Sequence, residues 1–525
     1  MLNVSGSGLL GTAIIAPAVL AVLAFVVGKR APRRVAQAGA VVAGTGFLAA
    51  VVLAFRSGHA PVSAALGGAE FSVDQLAAVL LLLIFGVSAI VQTFAIRYLA
   101  GDARQAWFAA GAGVLTAASA GLASAATLLT LAVCWTLAGI ALCLLLGTYW
   151  HLPAARDGVR RTAAAFVIGD LALWTAVAAA TATYGQIDLR DSGAPLDGAV
   201  VPILGILVAV AALSRSAQFP FHRWLPATLA APTPVSALLH AGVVNAGAIL
   251  LIRLAPLSGG GVAQALTIAA GAATMVYGAT VMLVKPDVKG ALAHSTTAQM
   301  GFMILTCGLG LWAAAVIHLV AHGFYKSTLF LSSGSAIAAH VRGEQLPAAP
   351  ALSRRQRFIN VAAALGIPAL ALAAAVTVVP TGSGDHAAEQ ALLAFALVTG
   401  AAATWGWLRR RPGIGAAVTA LAFLVPAAIG YVAIITAVGA FLAPALPTIP
   451  LSAAAVWATT ALALILLGAL AVVRRAPAAD RLHRAVYTSA LSAGHIATHY
   501  PPSRSTYYPP SRPTLHSTVL TGARS

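Results

Sequence analysis

The sequence predicts an all-α polytopic membrane protein of about 14–15 transmembrane helices. Three observations lead there. The 525 residues are 60% hydrophobic and only 8% charged, a balance foreign to a string of soluble domains. The apolar stretches are long enough to cross roughly 30 Å of hydrocarbon as helices. Lys and Arg alternate from one connecting loop to the next, as the positive-inside rule requires.

Taken in order, the spans fall at roughly 8–28, 35–55, 74–96, 105–123, 126–147, 162–183, 199–220, 228–255, 262–284, 290–311, 312–338, 358–380, 390–408, 414–443 and 452–473. Basic loops follow alternate spans, beginning with Lys29, Arg30, Arg33 and Arg34, then Arg97 and Arg104, then Arg156, Arg160 and Arg161. The same parity continues through Arg223, Lys285 and Lys289, Arg354 and Arg355, Arg409 to Arg411, and Arg474 and Arg475. The intervening loops carry only Arg56, Arg190 and Arg253, and they hold acids such as Glu70, Asp188 and Asp385. The expected protein is therefore a multi-pass component of the cell (inner) membrane, with its N-terminus outside and its C-terminus cytoplasmic. The net charge of +18 reports that topology and not nucleic-acid binding. The first span reads as a retained helix, because basic residues follow it without a convincing cleavage site.

Residues 1–473 read as one transmembrane domain, since no long polar insertion interrupts the spans. Residues 474–525 form a cytoplasmic tail rich in Pro, Ser, Tyr and Arg, with YPPSR at 500–504 and again at 508–512. Such a composition predicts disorder, with a short interfacial helix at about 480–493 as its one ordered possibility. Cys134, Cys143 and Cys307 lie inside spans and behave as small apolar residues.

A charge inside a membrane costs at least ~2.5 kcal/mol, so each buried ionisable group is a functional candidate. Asp170, in AAAFVIGDLALWTAV, is an acid deep within a span. Alone it would stay protonated; the sharper expectation pairs it with a buried cation. Arg215 is the candidate, in the next span just before Pro220, where the helix loses a backbone donor and is expected to break. Its plain alternative is an arginine snorkelling near a helix end. His240 follows in PTPVSALLHAGVVNAG and reads either as a proton carrier or as a hydrogen-bonded structural histidine. His318, His322 and Lys326 recur at i, i+4 spacing along one face of a single helix, the strongest constellation in the chain. Lys289 and His294, at the mouth of a neighbouring span, read as a link from that face to cytoplasmic water or, for the lysine, as a topology anchor. His318 and His322 have the spacing of a zinc-protease pair, but Leu319 stands where the catalytic glutamate belongs, so no metal site is expected. Gly6, Gly8 and Gly11 match a dinucleotide fingerprint without its preceding strand or later acid.

SRSAQFPFHRWLPATLAAPTPVSALLHAG and DVKGALAHSTTAQMGFM, followed by IHLVAHGFYKSTLFLSSGSAI, resemble the proton-conducting antiporter-like membrane subunits. That superfamily includes the large antiporter-like subunit of respiratory complex I, Mrp cation/proton antiporter subunits, and DabB, the membrane subunit of an inorganic-carbon transporter. The resemblance implies two inverted five-helix repeats within about 105–410, a broken helix in each, and a hydrophilic axis across the midplane. It implies proton-relay roles for Asp170, Arg215, His240, Lys289, His318, His322 and Lys326, with Arg215 in the place of the family's broken-helix lysine and FVIGD in place of its acidic motif.

The chain also departs from the family. Thr136, in CWTLAG, replaces a typical glutamate; the second broken helix lacks its lysine, because 412–473 contains no charged residue; and no lateral helix with a final anchor span is expected after 473. These departures point away from respiration, and the shorter length with FPFHRWLP, APTPVSALLHAGVVNAG and AQMGF more closely resembles DabB. That resemblance implies proton-driven energy coupling for uptake of bicarbonate or carbon dioxide, no cofactor in this chain, and a DabA-like cytoplasmic partner that holds zinc. The alternative is a proton-pumping subunit of an NADH-quinone oxidoreductase or of an Mrp antiporter, partnered by the other membrane subunits of that complex.

Overall fold

The computed structural model describes residues 5–190, 198–258, 261–334, 353–380, 387–411, 413–447 and 480–494, with a few isolated positions between 457 and 465. Helices α1 (Gly6–Val27), α2 (Pro32–Ser57), α3 (Gln75–Tyr98), α4 (Gln105–Ala123), α5 (Leu128–Leu146) and α6 (Pro153–Tyr184) come first. They are followed by α7 (Val201–Arg215), α8 (Thr233–Ala241), α9 (Ala246–Arg253), the single turn α10 (Ala255–Ser258), α11 (Gly261–Met282), α12 (Val288–Gly308) and α13 (Trp312–Leu331). The remainder are α14 (Arg354–Val378), α15 (Ala387–Arg410), α16 (Ile414–Leu442) and α17 (Asp480–Gly494). Among the described residues, 11 helical segments are long and apolar enough to cross a membrane, with α8 and α9 forming one of them. The chain is an all-α multi-pass integral membrane protein; the span expected at 452–473 lies almost wholly outside the described residues.

Lipid offers the backbone no hydrogen bonds, so each helix must begin and end within reach of its own caps. Asp74 caps α3 by accepting from the Ala77 amide at 2.7 Å, Thr127 caps α5 through Thr130 at 3.1 Å, and Asp287 caps α12 through Gly290 at 2.5 Å. Pro32 and Pro153 open α2 and α6, where a missing amide hydrogen costs nothing.

Two short strands, Val62–Leu66 and Ala69–Val73, form an antiparallel hairpin that the apolar pattern did not reveal. Its turn is Gly67–Gly68, both with positive φ, as a tight hairpin turn requires. The hairpin bonds to the α4–α5 connection through Ser72 N to Ser124 O at 2.6 Å and Ala126 N to Glu70 O at 3.0 Å, and that connection in turn bonds to the loop after α6 through Leu128 N to Ile187 O at 3.1 Å. This end of the bundle holds two of the three arginines that break the charge alternation. Arg190 bridges Glu70 at 2.8 Å and also pairs with Asp188. Arg253 pairs with Asp74 and donates to the Ala123 carbonyl at 3.2 Å, tying α9 to α3 and α4.

The centre is the α8–α9 span, which is almost wholly buried. It is not one helix: Gly242 leaves helical geometry, a 3-10 turn covers Val243–Asn245, and α9 then resumes. α13 packs on α8 and α3, while α11 packs on α7 and α12.

One expectation needs correction. Pro220 does not break α7, which has already ended at Arg215; Ser216 terminates it, Ala217 takes positive φ, and Ser216 Oγ donates to the Val244 carbonyl at 2.6 Å. That bond satisfies groups at two helix breaks together. The helix 354–378 is continuous through Pro368. Residues 480–494 of the tail form a helix where a short one was expected, and Ala490 and Gly494 seat it against α11, where Tyr277 Oη donates to the Ala493 carbonyl at 3.2 Å. The rest of the tail lies outside the described residues.

Candidate functional site

α6 carries Asp170 and α7 carries Arg215 as its last helical residue. Arg215 Nη2 donates to Asp170 Oδ1 at 2.8 Å, the pairing anticipated for a buried acid. Arg215 is 1% exposed and Asp170 20%, so the carboxylate is the accessible member of the pair. Trp135 of α5 completes the arrangement: its indole Nε1 donates to the same carboxylate oxygen at 2.7 Å, and its carbonyl accepts from Arg215 Nη1 at 3.1 Å. The guanidinium lies 4.3 Å from the Trp135 ring and 4.1 Å from the Phe166 ring, which stabilises the cation in a dry setting. A planar, permanently charged group fits this cradle of two rings, a carbonyl and a carboxylate. Gly169, beside Asp170, makes the approach possible, since a methyl there would lie 1.9 Å from Ser214 Oγ of α7. Thr136, in the place of the missing glutamate, accepts instead from Trp174 Nε1 at 3.0 Å. A cavity of about 560 Å³ lined by Trp107, Cys143, Trp150 and Phe166 reaches Asp170.

The second group lies across α8 and α13. His240 is 1% exposed and stacks on Phe330 with centroids 4.3 Å apart. His318 and His322 stack at 5.8 Å on one face of α13, as their spacing predicts. One turn on, Lys326 is wholly buried; its Nζ donates to Ser295 Oγ of α12 at 2.8 Å and to the Leu292 carbonyl at 3.4 Å. A lysine fully enclosed among neutral oxygens is costly and marks a site rather than a packing choice. His240, His322 and Lys326 are close enough to interact electrostatically.

The third group is at the basic end. Lys289 Nζ donates to the Ala231 carbonyl at 3.3 Å, joining the start of α12 to the segment before α8. His294 packs edge-on to Tyr277 at 6.0 Å, and Tyr277 packs on His222 at 4.7 Å. Both ring nitrogens of His294 and of His322, and one each of His222, His240 and His318, are buried without a protein partner. Buried polar atoms of this kind are positions that bound water commonly completes. No group of three His, Cys, Asp or Glu side chains gathers as a metal site among the described residues.

The structure therefore gathers the predicted residues into three groups and does not join them by direct contact. Sequence reasoning missed Trp135, Phe166, Ser295 and Phe330, whose roles depend on packing partners. His222, in FPFHRWLP, was the one missed residue that a titratable-group search could have caught.

The family described as NADH:quinone oxidoreductase/Mrp antiporter, TM, matches residues 125–404, and the complex I chain 5 N-terminus family matches 68–109. The chain is 37% identical over 321 residues to the probable inorganic carbon transporter subunit DabB1 of Halothiobacillus neapolitanus, covering 59% of this chain and 56% of that protein. It is 35% identical over 274 residues to NADH-quinone oxidoreductase subunit L of Mycobacterium tuberculosis, covering 51% of this chain and 43% of that protein. Thus the chain spans about half the length of these relatives. A chain in the structure of the Mrp complex from Dietzia sp. superposes with a TM-score of 0.58 at 25% identity, covering 92% of this chain and 62% of that one. With 125–404 matched, more than half of the chain, this protein belongs to the NADH:quinone oxidoreductase/Mrp antiporter transmembrane family.

Proposed function

We propose that this chain is the proton-conducting, energy-coupling membrane subunit of an inorganic-carbon transporter. The observation that carries the reading is the set of enclosed ionisable side chains at the centre of an apolar bundle: the Asp170–Arg215 pair, His240, and the His318, His322 and Lys326 face. Groups this costly to bury are retained where charge or protons must pass. In this reading Arg215 holds charge and orders water, the histidines and Lys326 exchange protons, and Lys289 and His294 connect the face to the cytoplasm. The N-terminus lies outside and the C-terminus in the cytoplasm of the cell membrane, following the basic loops. The relatives named inorganic carbon transporter subunits direct the reading toward carbon uptake. The partner is a large cytoplasmic zinc protein of the DabA type, and the zinc belongs to it.

Co-expression with a neighbouring gene of that type is expected to restore growth of a carbonic-anhydrase-deficient host at low carbon dioxide. No growth from an intact, membrane-inserted pair overturns the reading. His322→Ala and Lys326→Ala each abolish rescue while leaving membrane levels unchanged; uptake at the wild-type rate in both removes these residues from the path. The Mrp superposition and the subunit L relatives support a second reading, a cation/proton antiporter or quinone oxidoreductase subunit. Co-purification with quinone oxidoreductase subunits would select it.

A further inference from the structure

α17 seats its last turn over the third group of ionisable residues, at the basic end of the bundle. Gly494 is buried against α11, where an added Cβ would lie 2.7 Å from Val281 Cγ1 and 3.2 Å from Lys285 Cε. One residue earlier, the Ala493 carbonyl accepts from Tyr277 Oη at 3.2 Å. The Tyr277 ring is also where His222 and His294 pack, with centroids 4.7 and 6.0 Å away. The helix therefore ends one side chain from both histidines. Its seat is small: among the described side chains of α17, Ala490 and Gly494 are buried, while Val486, Tyr487 and Leu491 are exposed. A gap of about 350 Å³ lies between Ala485, Val486 and Ser489 of α17 and Thr280 and Val281 of α11. A helix of 15 residues is marginal by itself, so its position depends on this contact. A fixed strut would bury its large apolar residues; a contact made by small residues and one hydrogen bond opens at modest cost.

We propose that α17 is a reversible lid on the proton path, shut when it docks on Tyr277, Val281 and Lys285 and open when it lifts from them. The proposal rests on the proton-conducting reading above, in which His294 connects the α13 face to the cytoplasm. Docked, the helix covers the outer side of the Tyr277 ring and crowds the Lys285 side chain. Lifted, it frees the Tyr277 hydroxyl and the Lys285 ammonium together, and the mouth beside His222 and His294 loses its cover. The absence of a side chain at Gly494 is what permits the closed position, since any Cβ there meets Val281.

The test uses the complex with its partner subunit in proteoliposomes, with proton entry under an imposed potential read by a pH-sensitive dye. The double substitution Val281→Cys, Gly494→Cys places two thiols where a disulfide can hold the lid shut. Oxidised, this variant is expected to conduct about fivefold more slowly than when reduced, because the lifted state is removed from the population. Equal flux in the two states, with the disulfide verified by mass spectrometry of the joined peptides, overturns the inference. Gly494→Leu needs no disulfide: its side chain meets Val281 and Lys285, lifts the helix and raises flux about threefold or more. Flux at or below the wild-type rate in that variant, with 480–494 shown to be open to protease, also overturns the inference. A silent wild type beside a conducting Gly494→Leu supports the lid, whereas silence in both overturns the conduction reading and the lid with it.

Discussion

Arg215 sits in its cradle because four neighbours supply what the membrane does not: a carboxylate, a carbonyl and two aromatic faces. Removing one member should therefore cost more than removing both. Asp170→Asn leaves a buried guanidinium without its counter-ion and is expected to lower stability by about 2–4 kcal/mol, below the upper range because Asp170 is 20% exposed. The double variant Asp170→Asn, Arg215→Gln should melt closer to wild type, as thermal unfolding in detergent would register. Gly169→Ala drives a methyl into Ser214 and is expected to part α6 from α7, opening the ion pair and ending proton flux with less loss of folded protein than flux. At the other end of the bundle, the bond from Arg190 holds the Asp188 carboxyl below the ordinary aspartate range. A depressed pKa contributes stability above the unfolded value of about 3.9 and loses it as pH falls further, through the native value. Arg190→Ala should flatten that acid-side loss in melting profiles. Asp170 and Arg215 were legible in the sequence because a charge stands out in an apolar run. Trp135 and Phe166 were not, since an aromatic in a span is ordinarily core, and only packing turned these two toward a cation.

Helix existence was largely readable, because apolar runs of sufficient length have no other stable form in lipid. Helix interruptions were less so. Pro220 drew attention as a breaker, yet α7 stops at Arg215 because Ser216 and Val244 satisfy each other across two breaks. Pro368 shows the converse: a proline within the apolar part of a helix is carried without interruption. The α8 break at Gly242 has no proline at all. The hairpin at 62–73 lay in a loop whose Gly67–Gly68 turn was the only signal. α17 was legible only as a weakly signalled interfacial helix, and its contact with α11 supplies the rest. Tyr277→Phe removes the bond to Ala493, and protease cleavage within 480–494 is expected to accelerate severalfold; an unchanged cleavage rate would show that apolar packing alone holds the helix.

Across the whole molecule, the sequence by itself determined the membrane, the number of crossings to within a few, the alternation of basic loops and the identity of the ionisable residues. Those follow from composition and local spacing, because the cost of burying charge and unpaired backbone acts on each segment separately. Arg253 shows where that reasoning stopped. It looked like an exception to the charge alternation, and the fold pairs it with Asp74, 179 positions earlier. Arg253→Ala is expected to leave insertion intact and to lower the melting temperature, because one bond set joins α3, α4 and α9. Only the tertiary structure decided that Asp170, Arg215 and Trp135 form one unit and that His240, His322 and Lys326 form another. The physical reason is that partners brought together from distant helices are selected by packing geometry, which no local pattern of residues records.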